Sequence, residues 1–224
     1  IKVLKAGLES TVQDKGRIGF YEIGMPPSGA MDQYAFTIAN QLVGNLENAA
    51  VLEITYLGPV LAFDRDAVIA ITGGDIHPKI NDVQVPLWTN LKIKAGDVLS
   101  FEFVKFGARV YLAVQGGIDV PKVFDSRSTY TLCGIGGYQG RALKEGDLLQ
   151  VGSEYELDVP VGTTIPDSFI PKYKKHHEIR LVMGLCSYRL TTDSKNDFLS
   201  TDWTVTPEAN RVGYRFKGCS LDFV

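Results

Sequence analysis

Residues 25–45 read MPPSGAMDQYAFTIANQLVGN, and they carry the one convincing helical periodicity along the chain. Ala35, Phe36, Ala39, Leu42 and Val43 recur at spacings of three and four, which predicts a helix with one apolar stripe laid on a sheet. Gly44-Asn45 accept a left-handed conformation and mark its end. Its start is left open between Ser28 and Asp32 as capping residues. Pro26-Pro27 stiffen the approach, and Gly29 lets the chain turn sharply before the first turn. Several N–H groups then point outward, so the stretch reads either as a plain helix start or as a site that holds an anion.

Outward from that helix the pattern is β. Apolar alternation predicts strands over Leu52–Tyr56, Val60–Phe63, Ala67–Thr72, Val98–Val104, Arg109–Val114 and Leu148–Val151. Between them lie turn compositions such as Asp64-Arg65-Asp66, Asn81-Asp82 and Ala95-Gly96-Asp97. An echo fifty residues apart, Lys94-Ala-Gly-Asp-Val-Leu-Ser and Lys144-Glu-Gly-Asp-Leu-Leu-Gln, is read as two turns that each enter a strand, with Asp bonding the following backbone. The segment from Pro160 to His177, rich in proline and clustered cations, is the best boundary. Beyond it Ile179–Met183 and Trp203–Thr206 read as new strands, so residues 1–177 form one unit with its linker and residues 178–224 begin a second.

Composition excludes several classes. The 224 residues are 45% apolar with a formal net charge of −3 from interspersed signs, which points away from nucleic acid and from a basic membrane face. No apolar run is long enough to span a bilayer, and no signal h-region stands at the start, so a cytoplasmic location is expected. Three scattered cysteines, Cys133, Cys186 and Cys219, are expected to be reduced, partly buried thiols. His176-His177 point in different directions in any regular element, so no metal site is expected.

The densest functional signal is Gln115-Gly-Gly-Ile118, with Gly116 and Gly117, followed by Ser126-Arg-Ser-Thr-Tyr130 and a run to Arg141. Glycines 134, 136, 137 and 140 fall within seven residues, a density that gives up strand packing in exchange for close backbone approach. Neither the Walker nor the Rossmann spacing is met. Arg127 and Arg141 flank the glycines, and a guanidinium fork matches a carboxylate or phosphate with two parallel bonds. Both arginines can equally serve local acids such as Asp125 and Asp147.

Thr11-Val-Gln-Asp14, Met25–Asp32, Ala39–Asn45, Leu52–Pro59, Gln115–Ile118, Ser126–Tyr130 and Asn210-Arg-Val-Gly-Tyr-Arg215 together resemble one family. It is the allophanate hydrolase subunit 2, or carboxyltransferase A/B, group, which includes the C subunit of bacterial 5-oxoprolinase and the carboxyltransferase region of urea carboxylase. The resemblance runs along nearly the whole chain. It implies a mainly β fold of two cyclophilin-like β-barrel units with few helices. Members continue well past the Asn210–Arg215 motif, so the second unit is expected to be incomplete here.

The implied activity is ATP-dependent opening of 5-oxo-L-proline to L-glutamate. The partners it implies are a sister B-type subunit, like allophanate hydrolase subunit 1, and an A-type subunit, with ATP bound by the complex. One alternative is the carboxyltransferase component of a biotin-dependent urea carboxylase, in which biotin is the cofactor. Another is a non-catalytic regulatory subunit of the kinase-inhibitor antagonist type, and fold analogy alone adds a proline isomerase. On the first reading Ser28, Asp32, Arg127 and Tyr130 are the candidate catalytic residues. Pro27, Gly29, Gly116, Gly117, Ser126, Ser128, Gly136, Gly137 and Arg141 are candidates for substrate binding. Ser28, Gly29 and the helix mouth would offer donors to a carboxylate or a developing oxyanion, and Asp32 would orient a donor or act as a base.

Overall fold

Side chains along the central strands alternate between two apolar layers, and that alternation sets the architecture. In a computed structural model, which describes residues 1–153 and 155–224, Val110, Leu112 and Val114 point into one buried cluster while Tyr111 and Ala113 point into another. A strand with both faces covered reads as a continuous apolar run. That is why Val51–Thr55 is buried at every position.

The elements run β1 (Lys2–Lys5), β2 (Glu9–Gln13), α1 (Gln33–Leu42), β3 (Val51–Thr55), β4 (Val60–Ala62), β5 (Ala67–Asp75), β6 (Lys79–Ile80), β7 (Val83–Gln84), β8 (Asn90–Ile93), β9 (Val98–Ser100), β10 (Phe106–Val114), β11 (Ile118–Asp119) and β12 (Gln150–Val151). Two antiparallel five-stranded sheets result, ordered β1-β4-β9-β6-β7 and β2-β3-β10-β5-β8, and β11 pairs with β12 in a short ribbon. The mainly β fold expected from the sequence is present. Among the described residues the strands form open sheets that face each other across the first cluster, rather than a closed ring.

Helix α1 covers the outer face of the second sheet, burying Ala35, Phe36, Ala39 and Leu42 against Val51, Ala70, Tyr111 and Ala113. Burial of the Phe36 side chain alone is worth about 2–3 kcal/mol. Residues Ile165, Ile170 and Tyr173 pack on the same cluster from the segment that follows the last strand of the ribbon.

The echo of Lys94–Ser100 in Lys144–Gln150 is structural. Asp97 Oδ2 accepts from the Lys94 amide at 2.8 Å, and Asp147 Oδ2 accepts from the Lys144 amide at 2.7 Å. Each aspartate therefore closes its turn backward onto the lysine, a correction to the forward bond expected from the sequence.

Contacts divide the chain into Ile1–Lys175 and His176–Val224. The second unit holds α2 (Thr192–Ser200), capped by the Thr191 hydroxyl, and a ribbon of β13 (Thr204–Val205) with β14 (Phe216–Lys217). The polar helix α2 escaped the sequence reading because TDSKNDFLS carries almost no apolar stripe. The strand expected over Ile179–Met183 does not form; the segment is irregular and Val182 is 97% exposed. An apolar run makes a strand only where another strand pairs with it.

The cysteines also differ from expectation. Cys133 and Cys186 are exposed and only Cys219 is partly covered. The glycines around Cys133 and the irregular chain around Cys186 build no core for a thiol to enter. Among the described residues no group of three or more His, Cys, Asp or Glu is placed to hold a metal, and no helix is long and apolar enough to cross a membrane.

Candidate functional site

A polar row crosses the second sheet beneath the mouth of α1. Thr11, Glu53, Tyr111 and Thr72 stand side by side in register, all buried. Glu53 Oε2 accepts from the Met31 amide and from the Tyr111 hydroxyl, both at 2.9 Å. The Tyr111 hydroxyl in turn accepts from the Asp32 amide at 2.7 Å, and the Thr72 hydroxyl donates to Ala35 O. Burial, together with the negative charge of Glu53, pushes the Tyr111 phenol far above its usual range, so it stays protonated and able to donate.

Asp32, not Ser28, caps the helix: its Oδ1 accepts from the Ala35 amide at 2.9 Å. Its Oδ2 accepts from the Tyr173 hydroxyl at 3.0 Å. Each carboxylate oxygen of Asp32 thus accepts a hydrogen bond that holds the helix mouth in place. At this helix mouth the chain's own Glu53 takes the Met31 amide and the Tyr111 hydroxyl. Pro27 spends its carbonyl on the Arg17 amide at 2.7 Å. At Gly29, with φ +86°, an added Cβ would lie 2.7 Å from Lys15 O, so the glycine is needed where two backbones touch.

The segment it touches is the hub of a second network. Asp14 is fully buried at the end of β2. Its Oδ1 accepts from the Gly16 amide at 2.8 Å, from Ser126 Oγ at 2.7 Å and from Ser128 Oγ at 2.5 Å; Oδ2 accepts from the Arg127 amide at 2.5 Å. Hydrogen bonds to a carboxylate are shorter and stronger than those between neutral groups, so this cluster fixes the loop around it. Ser126 and Ser128 are buried and fasten the loop to Asp14. Since Asp14 O also accepts from the Ala30 amide, one residue ties the helix-mouth loop to the serine-arginine loop.

Arg127 sits between these fasteners and faces a cavity of about 390 Å³ lined also by Asn48, Ala49, Gly116, Gly117, Ile118, Asp119, Gly152 and Ser153. Its Nε donates to Val120 O at 3.0 Å, and an Nη lies 3.7 Å from Asp119 Oδ1. Gly116 has φ +90°, and a Cβ there would lie 2.0 Å from Gly152 O, so only glycine lets the two strands close around this wall. The turn is pinned by Asn45, whose Oδ1 accepts from the Gly116 amide at 2.7 Å while its Nδ2 donates to Asn40 Oδ1 and Val114 O, each at 2.9 Å.

A second cavity, of about 420 Å³, shares Asp119 with the first and is lined by Val120, Val123, Gly136, Gly137, Tyr138, Gln139 and Gly140 among others. Of the candidates named from sequence, Arg127, Gly116 and Gly117 thus face the first cavity, and Gly136 and Gly137 face the second. Pro27, Ser28, Gly29 and Asp32 line neither.

Arg141 is committed elsewhere. Its fork grips Asp147 through bonds of 2.7 and 2.9 Å, and its guanidinium lies 5.3 Å from the Tyr138 ring centroid. This pairing raises the Arg141 pKa and lowers that of Asp147. Tyr130 lines neither cavity; its backbone pairs with Ile135, and partial burial followed by neighbouring Cys133 raises its phenol pKa. Sequence reasoning passed over Asp14, Arg17, Asn45, Glu53 and Tyr111 as site-building residues. The available signal was a charge inside an otherwise buried strand run, as Glu53 is in VLEIT.

Residues 23–222 match the family model described as carboxyltransferase domain, subdomain A and B. The chain is 38% identical over 226 residues to urea amidolyase of Saccharomyces cerevisiae, covering 97% of this chain and 12% of that protein. It is likewise 38% identical over 222 residues to the C subunit of 5-oxoprolinase from Escherichia coli, covering 97% of this chain and 68% of that one. The crystal structure of Kluyveromyces lactis urea carboxylase superposes with a TM-score of 0.87 at 35% identity, over 99% of this chain and 21% of that one.

Proposed function

Because the chain belongs to the carboxyltransferase domain family of subdomains A and B, we propose that it is a component of a cytoplasmic multi-subunit enzyme that acts on a small amide, with 5-oxo-L-proline as the substrate and L-glutamate as the product. The supporting observation is Arg127, held by Asp14 through its amide and facing a cavity walled by the Gly116-Gly117 turn. 5-Oxoproline offers a carboxylate for a guanidinium and a compact ring for a glycine wall; urea offers no carboxylate.

In this reading ATP, bound by the assembled complex, supplies the activation of the lactam oxygen. The residues of this chain bind and orient: Arg127 takes the substrate carboxylate, and Gly116 and Gly117 allow the ring to approach the backbone closely. Subunits of the A and B types are the proposed partners, and residues 178–224 are read as the start of a second related unit.

Urea carboxylation with biotin is the second reading, favoured by the likeness to the urea carboxylase structure at a TM-score of 0.87. Reconstitution of the full-length protein with its partner subunits separates them. Glutamate formed from 5-oxoproline and ATP supports the first reading. Carboxylation of urea from a biotinylated carrier replaces it with the second, and turnover with neither would turn attention to a regulatory binding role.

A further inference from the structure

Arg17 is 1% exposed, yet among the described residues no carboxylate bonds to it. Its Nε donates to Val123 O at 3.3 Å and one Nη to Ser128 O at 2.5 Å, while the other Nη has no hydrogen-bond partner among the described residues. The nearby acid, Asp14, already collects the loop donors described above. A buried guanidinium in that position is a costly charge that only a nearby anion offsets. Burial lowers its pKa and the field of Asp14 partly restores it, and arginine holds its proton throughout the ordinary pH range.

The guanidinium lies directly behind the wall of the second cavity. A Cβ on Gly136 would come within 2.5 Å of Arg17 Nη2 and 2.2 Å of Ser128 O, so the glycine allows the loop to lie on the charge. Three amides of that wall, those of Gly136, Tyr138 and Gln139, have no hydrogen-bond partner among the described residues, whereas the amides of Gly137 and Gly140 are bonded to Arg127 O and Gly136 O. Backbone donors left free over a buried positive charge are the ingredients of an oxyanion site. The acid on the rim, Asp119, stands 3.7 Å from an Nη of Arg127, which tempers its repulsion of an incoming anion.

We propose that the second cavity binds an oxyanion, a carboxylate or a phosphate group, on the amides of Gly136, Tyr138 and Gln139, with Arg17 as the counter-charge behind the loop. Arg17 acts through its field and does not touch the ligand. The two cavities share Asp119, but the donors proposed here belong to the second alone, so the inference goes beyond the assignment of the first cavity to 5-oxoproline.

Calorimetric titration of the full-length protein with inorganic phosphate and, separately, with acetate tests this. Binding of one and not the other identifies which source of oxyanion the site takes. Arg17→Met should weaken binding roughly tenfold or more, as loss of a unit charge several ångströms away predicts, and Arg17→Lys should recover part of it. Unaltered affinity in Arg17→Met, or no binding of either anion to the wild type, would overturn the proposal. Wild-type crystals soaked in phosphate give an answer that needs no variant to fold: density against residues 136–139 supports the site, and its absence there removes it.

Discussion

The Asp14 carboxylate lies 2.5 Å from the Ser128 hydroxyl although 114 positions separate them in the chain. That bond, with those to Ser126 and the Arg127 amide, holds a surface arginine on a buried post. The loop is thereby fixed before any ligand arrives, which reduces the ordering cost of binding.

Asp14→Asn keeps the shape but turns one acceptor into a donor facing other donors. It should lower unfolding free energy by about 2–3 kcal/mol, the range for hydrogen bonds to a charged group. Urea denaturation measures this, and a midpoint equal to wild type would show that the network does not hold the loop.

The two arginines of the glycine-rich region should separate cleanly. Arg127→Gln is expected to reduce kcat/KM of the reconstituted complex about 100-fold, as loss of a bidentate charged contact would, with only a small change in stability. Arg141→Gln should leave kcat/KM close to wild type and cost about 1 kcal/mol of stability, because its fork serves Asp147. The reverse pattern would exchange their roles.

Asp147 gives a pH signature. Its carboxyl is held below the ordinary value of 3.8, first by the Arg141 bond, so the stability it contributes is complete above pH ~4 and is lost as pH falls through the lower folded value. Unfolding curves between about pH 2 and 5 should fall less steeply for Arg141→Gln than for wild type. Parallel curves would deny the linkage.

At the helix mouth, Asp32→Ala should cost about 1–2 kcal/mol through loss of the cap and of the Tyr173 bond. Ser28→Ala should change stability by less than about 0.5 kcal/mol. Catalysis by the complex is expected to survive Ser28→Ala; its collapse, with the fold intact, would return Ser28 to the reaction.

Gly116→Ala should be far more damaging than its size implies, since the added carbon would lie 2.0 Å from Gly152 O. We expect a drop in thermal midpoint together with loss of substrate binding, read by differential scanning calorimetry and a binding titration. A variant that binds normally would place the substrate elsewhere.

What the sequence determined by itself were the features that depend on near neighbours. The stripe of Ala35, Phe36, Ala39 and Leu42 specifies a helix on a sheet, and alternation along Arg109–Val114 specifies a strand with two covered faces. The repeated Lys-x-Gly-Asp frame showed its turns for the same reason, each being closed within four residues. The motifs at 11–14, 25–32 and 126–130 marked the important loops.

Only the tertiary structure decided what those loops do. Arg127 and Arg141 look alike in sequence, and they part company because Asp147 stands within reach of one while Asp14 presents the other to a cavity. Ser28 and Asp32 were equal as caps until the register of β3 and β10 brought Glu53 and Tyr111 under the helix mouth and filled it. Arg17 carried no local signal at all. A side chain's chemistry depends on which donors, acceptors and charges lie within a few ångströms, and for these residues most of those neighbours arrive from distant parts of the chain.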